Sequence, residues 1–412
     1  MNPRVPVDAV ADVIARARTS GAWTETSRAV LFHDLDRLEA RVDELVASFP
    51  DQTLHAVAIK ANPLVELLRV VVERGAGLEA ASFEEVTLAL AAGCAPDRIV
   101  YDSPAKTVGE LDRALDLGLW INADSRAELL RLAELGAPRA ARVGLRVNPG
   151  VGSGVIAATS TVGRASRFGV PLDEAAALVR EFPFVTGLHV HTGSQGCDLD
   201  LLTAAARATA EVAEALDVAW LDIGGGVPVR YTDDDPEPPT LGAWAEALST
   251  MPGWSHRRLV TEVGRSVHAG PGFAVSRIEA VKPVDGVPTL VVHLGADLLL
   301  RRAYRPQDWN HELVVLDAQG RPKTGERQPT HVVGPLCFSG DRLADLRPLP
   351  PAEPGDLLLV RDTGAYTLAM WSRHCSRGMP PSWGFRTSDL RLLHPGEQPE
   401  DVARFWSVSS SR

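Results

Sequence analysis

A chain of 412 residues is too long for one small domain and long enough to bury a large core. Apolar residues make up 45% and charged residues 23%, the profile of a folded soluble protein. A net charge of -11 argues against nucleic acid as a partner, and no stretch approaches the roughly 20 apolar residues of a membrane span, so no membrane partner is expected either.

The first fifteen residues carry acids and prolines where a leader would carry a basic and then an apolar stretch, so no signal peptide is expected. The Arg28–His33 run is apolar enough for a strand. From about residue 50 to 270 short apolar runs alternate with amphipathic stretches. The runs are Leu54–Ile59, Gly77–Ala81, Ile99–Tyr101, Leu119–Asn122, Ala141–Val147, Val185–His191, Ala219–Ile223 and Leu259–Glu262. Helical segments such as Leu64–Arg74, Phe83–Ala92, Val108–Leu117 and Leu201–Leu216 lie between them. Eight strands joined by helices predict an α/β fold, a closed parallel (β/α)8 barrel, with a doubly wound open sheet as the alternative. Two segments read as mobile loops: Gly150–Ser166, rich in small residues, and Tyr231–Thr240, acidic and proline-rich. After about residue 272 strands follow one another without long helices: Ser276–Val281, Thr289–Leu294, Glu312–Leu316, His331–Val333 and Leu357–Val360. This predicts an antiparallel β-domain to which Arg28–His33 could add a strand. The expected division is a barrel over 35–271 and a β-domain formed by 1–34 and 272–412.

The chemistry falls just after the strands, where barrels carry active sites. Lys60 ends the run beginning at His55 and is followed at once by Ala61-Asn62-Pro63. A poorly solvated lysine at a strand mouth suits attack on a carbonyl. Gly224-Gly225-Gly226 follows Leu221-Asp222-Ile223, and glycine amides can converge on an anion, although a plain turn reads the same way. Thr261-Glu262-Val263-Gly264-Arg265 puts a carboxylate at a strand end beside a Gly-Arg pair suited to phosphate; a structural Glu–Arg pair is the blander reading. In Gly187-Leu188-His189-Val190-His191-Thr192-Gly193-Ser194-Gln195 the two histidines alternate and so share a side. No third metal ligand sits near them in sequence, and a flat imidazole against an aromatic cofactor fits as well. Gly334-Pro335-Leu336-Cys337-Phe338-Ser339-Gly340-Asp341 places a cysteine in a loop, and Gly364-Ala365-Tyr366 follows a strand. The four cysteines (Cys94, Cys197, Cys337 and Cys375) show no metal spacing, and a reduced cytoplasm is the simplest setting for them.

Taken together, these motifs occur in the order and context of one family. From about residue 28 to 385 the chain resembles the fold-type III PLP-dependent decarboxylases, the diaminopimelate, ornithine and arginine decarboxylase group, and most of all the diaminopimelate branch. Gly77-Leu78-Glu79-Ala80-Ala81-Ser82, Arg146-Val147-Asn148-Pro149, Arg167-Phe168-Gly169 and the Pro380 region also match. The resemblance implies an alanine racemase-like fold and pyridoxal 5'-phosphate as cofactor, held covalently by Lys60. It places His191 on the ring face and Glu262 at the ring nitrogen. Ser194, Gly224, Gly225, Gly226, Gly264 and Arg265 would surround the phosphate, with Tyr366 also near the cofactor. Lys60, His191, Glu262 and Cys337 become the expected catalytic residues. Cys337 would come from the β-domain of a partner subunit in a head-to-tail homodimer, and would protonate the intermediate or shape the substrate pocket.

Two departures bear on the substrate. The residue after the cysteine is an acid in the diaminopimelate and ornithine enzymes, where it reads a distal ammonium, but here it is Phe338. Leu300-Arg301-Arg302-Ala303-Tyr304-Arg305-Pro306 does not reproduce the family's spacing and clusters three arginines. The substrate set is therefore expected to involve Arg301, Arg302, Tyr304, Arg305 and Phe338, with Asp341 as a substitute acid. An amino acid with a neutral or acidic distal group follows, used in specialised metabolism. The alternatives are diaminopimelate decarboxylation itself, a PLP racemase or epimerase, and a non-catalytic PLP carrier.

Overall fold

The computed structural model describes residues 4–138, 141–156 and 160–408. Strand β1 (Ala29–Asp34) precedes the series β2 (Leu54–Ala58), β3 (Gly77–Ala80), β4 (Ile99–Asp102), β5 (Trp120–Ala123), β6 (Arg142–Asn148), β7 (Val170–Pro171), β8 (Val185–His189), β9 (Trp220–Asp222) and β10 (Arg258–Thr261). Strands β2, β3, β4, β5, β6, β8, β9 and β10 pair in parallel in that order, and β10 pairs back with β2. This closes the eight-stranded barrel and removes the open sheet; β7 is a short addition beside β6. The strands are nearly continuous apolar runs because both of their faces are covered.

The N-terminal end of the barrel is filled by an apolar cluster of Leu54, Ala56, Val100, Trp120, Trp220 and Val260. The indoles of Trp120 and Trp220 meet edge to face at 4.9 Å. Gly144 and Gly187 make room for this, since a Cβ on either would lie 2.4 or 2.2 Å from the Trp220 ring. With that end plugged, polar side chains gather at the other. The outer helices start on side-chain caps: Ser82 accepts from Glu85 N–H, Ser125 from Glu128 N–H and Asp198 from Leu201 N–H, while Thr107 and Glu110 form a reciprocal capping box. Beneath two of these helices the buried Lys106 amine donates to Glu128 at 2.5 Å and to the carbonyls of Ser103 and Asn122 at 2.7 and 2.8 Å.

The other unit gathers the described residues up to Leu38, Tyr231–Pro236, and those from His268 onward. Its sheet contains β1, β11 (Gly272–Val284), β12 (Val287–Val292), β13 (Leu313–Leu316), β14 (Gln328–Val333), β15 (Arg342–Leu349), β16 (Leu357–Val360), β17 (Ser382–Phe385) and β18 (Leu390–His394). The Arg28–His33 run does join this sheet, as β1. The sheet is mixed, not purely antiparallel: β1 runs parallel to β17, and β12 to β14. Both parallel pairs are joined through long connections, as parallel neighbours require. The core beneath holds Ile14, Val30, Phe32, Phe273, Leu316, Leu359 and Phe385, with Phe32 stacked on Phe273 at 5.2 Å.

The first part of the acidic Tyr231–Thr240 segment is anchored. Tyr231 is buried against His311, its carbonyl accepts from Glu312 N–H, and the Asp235 carboxylate accepts from the amides of Tyr231 and Thr232. Within Gly150–Ser166, residues 157–159 lie outside the described residues. On either side of them Val155 N–H donates to Gly196 O and Thr161 N–H to Thr192 O. No helix among the described residues is long and apolar enough to cross a membrane.

Candidate active site

Polar side chains converge at the C-terminal ends of the barrel strands. Lys60 sits in a tight turn, Ile59–Ala61, just past β2, and its Nζ lies 2.5 Å from Glu79 Oε2 on β3. The amine is thus paired with an acid rather than simply desolvated. Burial pushes Glu79 up to about 8, against the opposing pull of Lys60. Glu262, one residue past β10, is fully buried. Its Oε2 stands 3.3 Å from His189 Nε2 and 3.3 Å from His191 Nδ1. Neither contact is aligned as a hydrogen bond, so both Glu262 oxygens lack a donor among the described residues. Despite its burial Glu262 is held well below the usual carboxylate range by the two histidines, His189 foremost.

The metal alternative gains a third donor here, because His189, His191 and Glu262 place ligand atoms within 4.8 Å of one another. The charge balance favours an ion pair in that place. His189 is raised to about 9: burial opposes its charge, but Glu262, Asp102 and Asp222 outweigh it. A metal would first have to displace the proton that this pairing favours on His189. His191 is shifted the other way, downward, by burial.

The three glycines after β9 are required by close packing. A Cβ on Gly224, Gly225 or Gly226 would meet the backbone carbonyl oxygens of Val190, Glu262 and Gly193 at 2.4, 2.4 and 2.8 Å. Gly224 and Gly226 also have positive φ, 65° and 108°. The Gly225 and Gly226 amides have no acceptor among the described residues, and Gly224 N–H is taken by Asp222. Arg265 donates to the Ser194 hydroxyl at 2.8 Å and to its carbonyl at 3.1 Å, so these two expected phosphate residues stand together. Gly264 fits against Ala58 and Ala61, next to Lys60.

Sequence reasoning gave no role to a further set of buried residues, although Arg146 and Asp222 stand within its motifs. Arg146 donates to Asp102 Oδ2 at 2.9 Å and has Asp124 at 3.8 Å. Asn122 donates to Asp222 Oδ2 at 3.1 Å. Asp102, Asn122, Arg146 and Asp222 lie on four different strands, and only the barrel brings them together.

The remaining expected residues belong to the β-sheet unit. Cys337 is exposed, and its backbone N–H reaches Cys375 Sγ at 3.5 Å. Phe338 is 43% exposed and stands edge-on to His374 at 5.7 Å. Asp341 is buried, and its two oxygens accept from the backbone amides of Ala296 and Leu336, each at 2.6 Å. It therefore anchors the loop and is not placed as a substitute acid. Arg301 lies over the rings of Trp309 and Tyr366, at 4.6 and 4.7 Å. Arg302 is buried and donates to the carbonyls of Leu343 and Pro306, which makes it a structural residue and not a clamp. Arg305 pairs with Asp308, and Tyr304 is 76% exposed.

The barrel residues fit a flat, phosphate-bearing aromatic aldehyde. An amine, a buried carboxylate with no donor, a neighbouring imidazole and uncovered glycine amides meet that group's four chemical demands.

Residues 35–269 match the family model described as pyridoxal-dependent decarboxylase, pyridoxal binding domain. Diaminopimelate decarboxylase from Pseudomonas aeruginosa is 35% identical over 363 residues, covering 84% of this chain and 82% of that protein. The enzyme of the same name from Zymomonas mobilis is 30% identical over 367 residues, covering 86% and 85%. Among solved structures, diaminopimelate decarboxylase from Helicobacter pylori complexed with L-lysine superposes with a TM-score of 0.85 at 26% identity, covering 94% of this chain and 99% of that one. The chain belongs to the fold-type III pyridoxal-dependent decarboxylases, in the company of the diaminopimelate decarboxylases, and is a PLP-dependent amino-acid decarboxylase, a carbon–carbon lyase.

Proposed function

We propose that this enzyme decarboxylates an α-amino acid whose distal group is neutral or acidic, and that it works as a head-to-tail homodimer in which the Gly334–Asp341 loop of one subunit serves the barrel of the other. One observation carries the substrate reading. Phe338 occupies the place of the family's ammonium-reading acid, and Asp341, the sole acid of that loop, has both oxygens committed to backbone amides. A phenyl ring offers a distal ammonium no counter-charge, and an ammonium desolvated without a partner costs several kcal/mol. Of the three clustered arginines, Arg302 is spent on backbone carbonyls and Arg305 pairs with Asp308.

Bound pyridoxal phosphate supplies a sink for the electron pair left when carbon dioxide departs, strongest with its ring nitrogen protonated. Lys60 Nζ would anchor the group, and Glu262 would hold the ring-nitrogen proton through a charge-assisted hydrogen bond. His191 would stand against the ring, and Ser194, Arg265, Gly264 and Gly224–Gly226 would hold the phosphate. Lys60 Nζ or Cys337 Sγ delivers a proton to the reacting carbon. A racemase is the weaker reading, because racemases of this fold put a basic residue where this chain has Glu262.

The test is carbon dioxide release across an amino-acid panel with mass analysis of the products, run on Phe338 and Phe338→Glu enzymes whose oligomeric state is measured by sedimentation. Turnover is expected for neutral or acidic distal groups. Phe338→Glu should raise kcat/KM for distal-ammonium substrates about 10- to 150-fold, the value of a hydrogen bond to a charged group. Efficient turnover of meso-diaminopimelate by the unaltered enzyme, with none for neutral or acidic substrates, overturns the reading.

A further inference from the structure

The carboxylate assigned to the ring nitrogen has to stay ionised in a place with almost no water. Glu262 has no solvent exposure, and burial by itself drives a carboxyl toward its neutral form. A neutral Glu262 could not hold a proton on a pyridine nitrogen. Some cation must therefore touch it, and the barrel offers few. Lys60 stands on Glu79. Arg146 is engaged by Asp102 on β4, with Asp124 on its far side. His191 does touch Glu262, but it is partly exposed and is shifted toward neutrality by burial.

His189 remains. It ends β8, is wholly buried, and has an acid on each side: Glu262 Oε2 lies 3.3 Å from Nε2 and Asp102 Oδ1 lies 3.8 Å from Nδ1. Asp222 on β9 adds a third carboxyl nearby, with its oxygens bonded to Gly224 N–H and to Asn122. Asp102 is kept anionic mainly by Arg146, against its own burial. The ring therefore lies between two anions, one of which is locked by a guanidinium on the opposite oxygen. Burial alone would make such a histidine neutral, yet this one is raised to about 9.

We propose that His189 is a positioning residue, an imidazolium fixed between Asp102 and Glu262 that keeps Glu262 ionised and so sets the protonation of the cofactor's ring nitrogen. This rests on the reading of Glu262 as the partner of that nitrogen. The chain Arg146–Asp102–His189–Glu262 runs across four barrel strands, so the charge that decides the sink is fixed by the scaffold rather than by groups touching the substrate.

The test uses holoenzyme carrying pyridoxal phosphate labelled with 15N in its ring, with the ring nitrogen's chemical shift followed against pH in the unaltered protein and in His189→Gln, Asp102→Asn and Glu262→Gln. The unaltered enzyme should keep the ring nitrogen protonated through pH 8. His189→Gln should lower the midpoint of that titration by a unit or more, a tenfold change in proton affinity, and Asp102→Asn should move it in the same direction by less. An unaltered titration in His189→Gln overturns the inference. If Glu262→Gln is also unaltered, the reading of Glu262 itself fails; if Glu262→Gln shifts and His189→Gln does not, only the role of His189 fails. Should His189→Gln not fold, 15N-histidine labelling of the unaltered holoenzyme at pH 8 decides the matter. One buried imidazole protonated on both nitrogens is expected, and the absence of any overturns the proposal.

Discussion

Gly225→Ala should disturb both halves of the site at once. The new Cβ would lie 2.4 Å from the Glu262 carbonyl oxygen, 2.8 Å from its carbonyl carbon and 3.1 Å from Val263 Cα. All three are backbone atoms, so no side chain can swing away. A carbon–oxygen contact settles at about 3.3–3.6 Å, and the glycine turn and the end of β10 would have to part by roughly an ångström. They are also bonded to each other, because Glu262 N–H donates to Gly224 O at 2.6 Å. Overpacking of this kind costs about 1–3 kcal/mol. If the cofactor complex bears the whole cost, affinity for pyridoxal phosphate falls about 5- to 150-fold. If the fold bears it, Tm falls by about 2–4 °C per kcal/mol. Titrating the apoenzyme with cofactor by absorbance, together with thermal unfolding of apo and holo protein, separates the two. Gly109→Ala is the control: its Cβ meets nothing within 4 Å, and alanine favours the helix it sits in. A Gly225→Ala protein with unaltered cofactor affinity and unaltered Tm would refute this account of the turn.

Lys106→Met should cost about 3–5 kcal/mol in urea unfolding, since it leaves Glu128 and two carbonyls buried without their donor, and pairing it with Glu128→Leu should recover much of the loss. A cost below about 1 kcal/mol for the single variant would count against the buried pair. The fold should also weaken in mild acid. Burial lowers His33 to about 3, aided by the neighbouring His268, and lowers His268 and His55 to about 4. Their folded values lie below the unfolded 6.5, so their contribution is complete above pH 6.5 and is lost as pH falls toward 4, at about 1.4 kcal/mol per unit and group. His189 has the opposite sign, its contribution being complete below pH 6.5 and lost as pH rises through about 9. Calorimetry from pH 4.5 to 9 should show Tm falling at both ends; a flat acid limb would sink the argument for the three buried neutral histidines.

The barrel was legible because each strand is a compact apolar run with a turn and a helix after it, and all eight expected strands lie within two residues of the observed ones. The other sheet was read less completely. Strand β15 carries a proline and three charged residues with only three of its eight residues buried, and β17 pairs with β1 far along the chain, so neither gives a local pattern. The same division holds in the site. Lys60, Glu262, His191 and the three glycines adjoin strand ends in short motifs and could be read directly. Glu79, Asp102, Arg146 and Asp222 take their meaning from partners on neighbouring or opposite strands, which no stretch of sequence displays. Arg302 and Asp341 failed as substrate candidates for a related reason: a charged residue in a loop looks available until the backbone groups that claim it are in view.

The manner in which Asp341 grips its loop has an evolutionary consequence. It clasps main-chain amides at Ala296 and Leu336, and every residue type except proline provides one. The side chains between the clasped points can then drift without loosening the hairpin's shape. Under the proposed reading of Phe338, a lineage could thus alter its diet by exchanging one residue at the tip while the loop's own frame is inherited untouched.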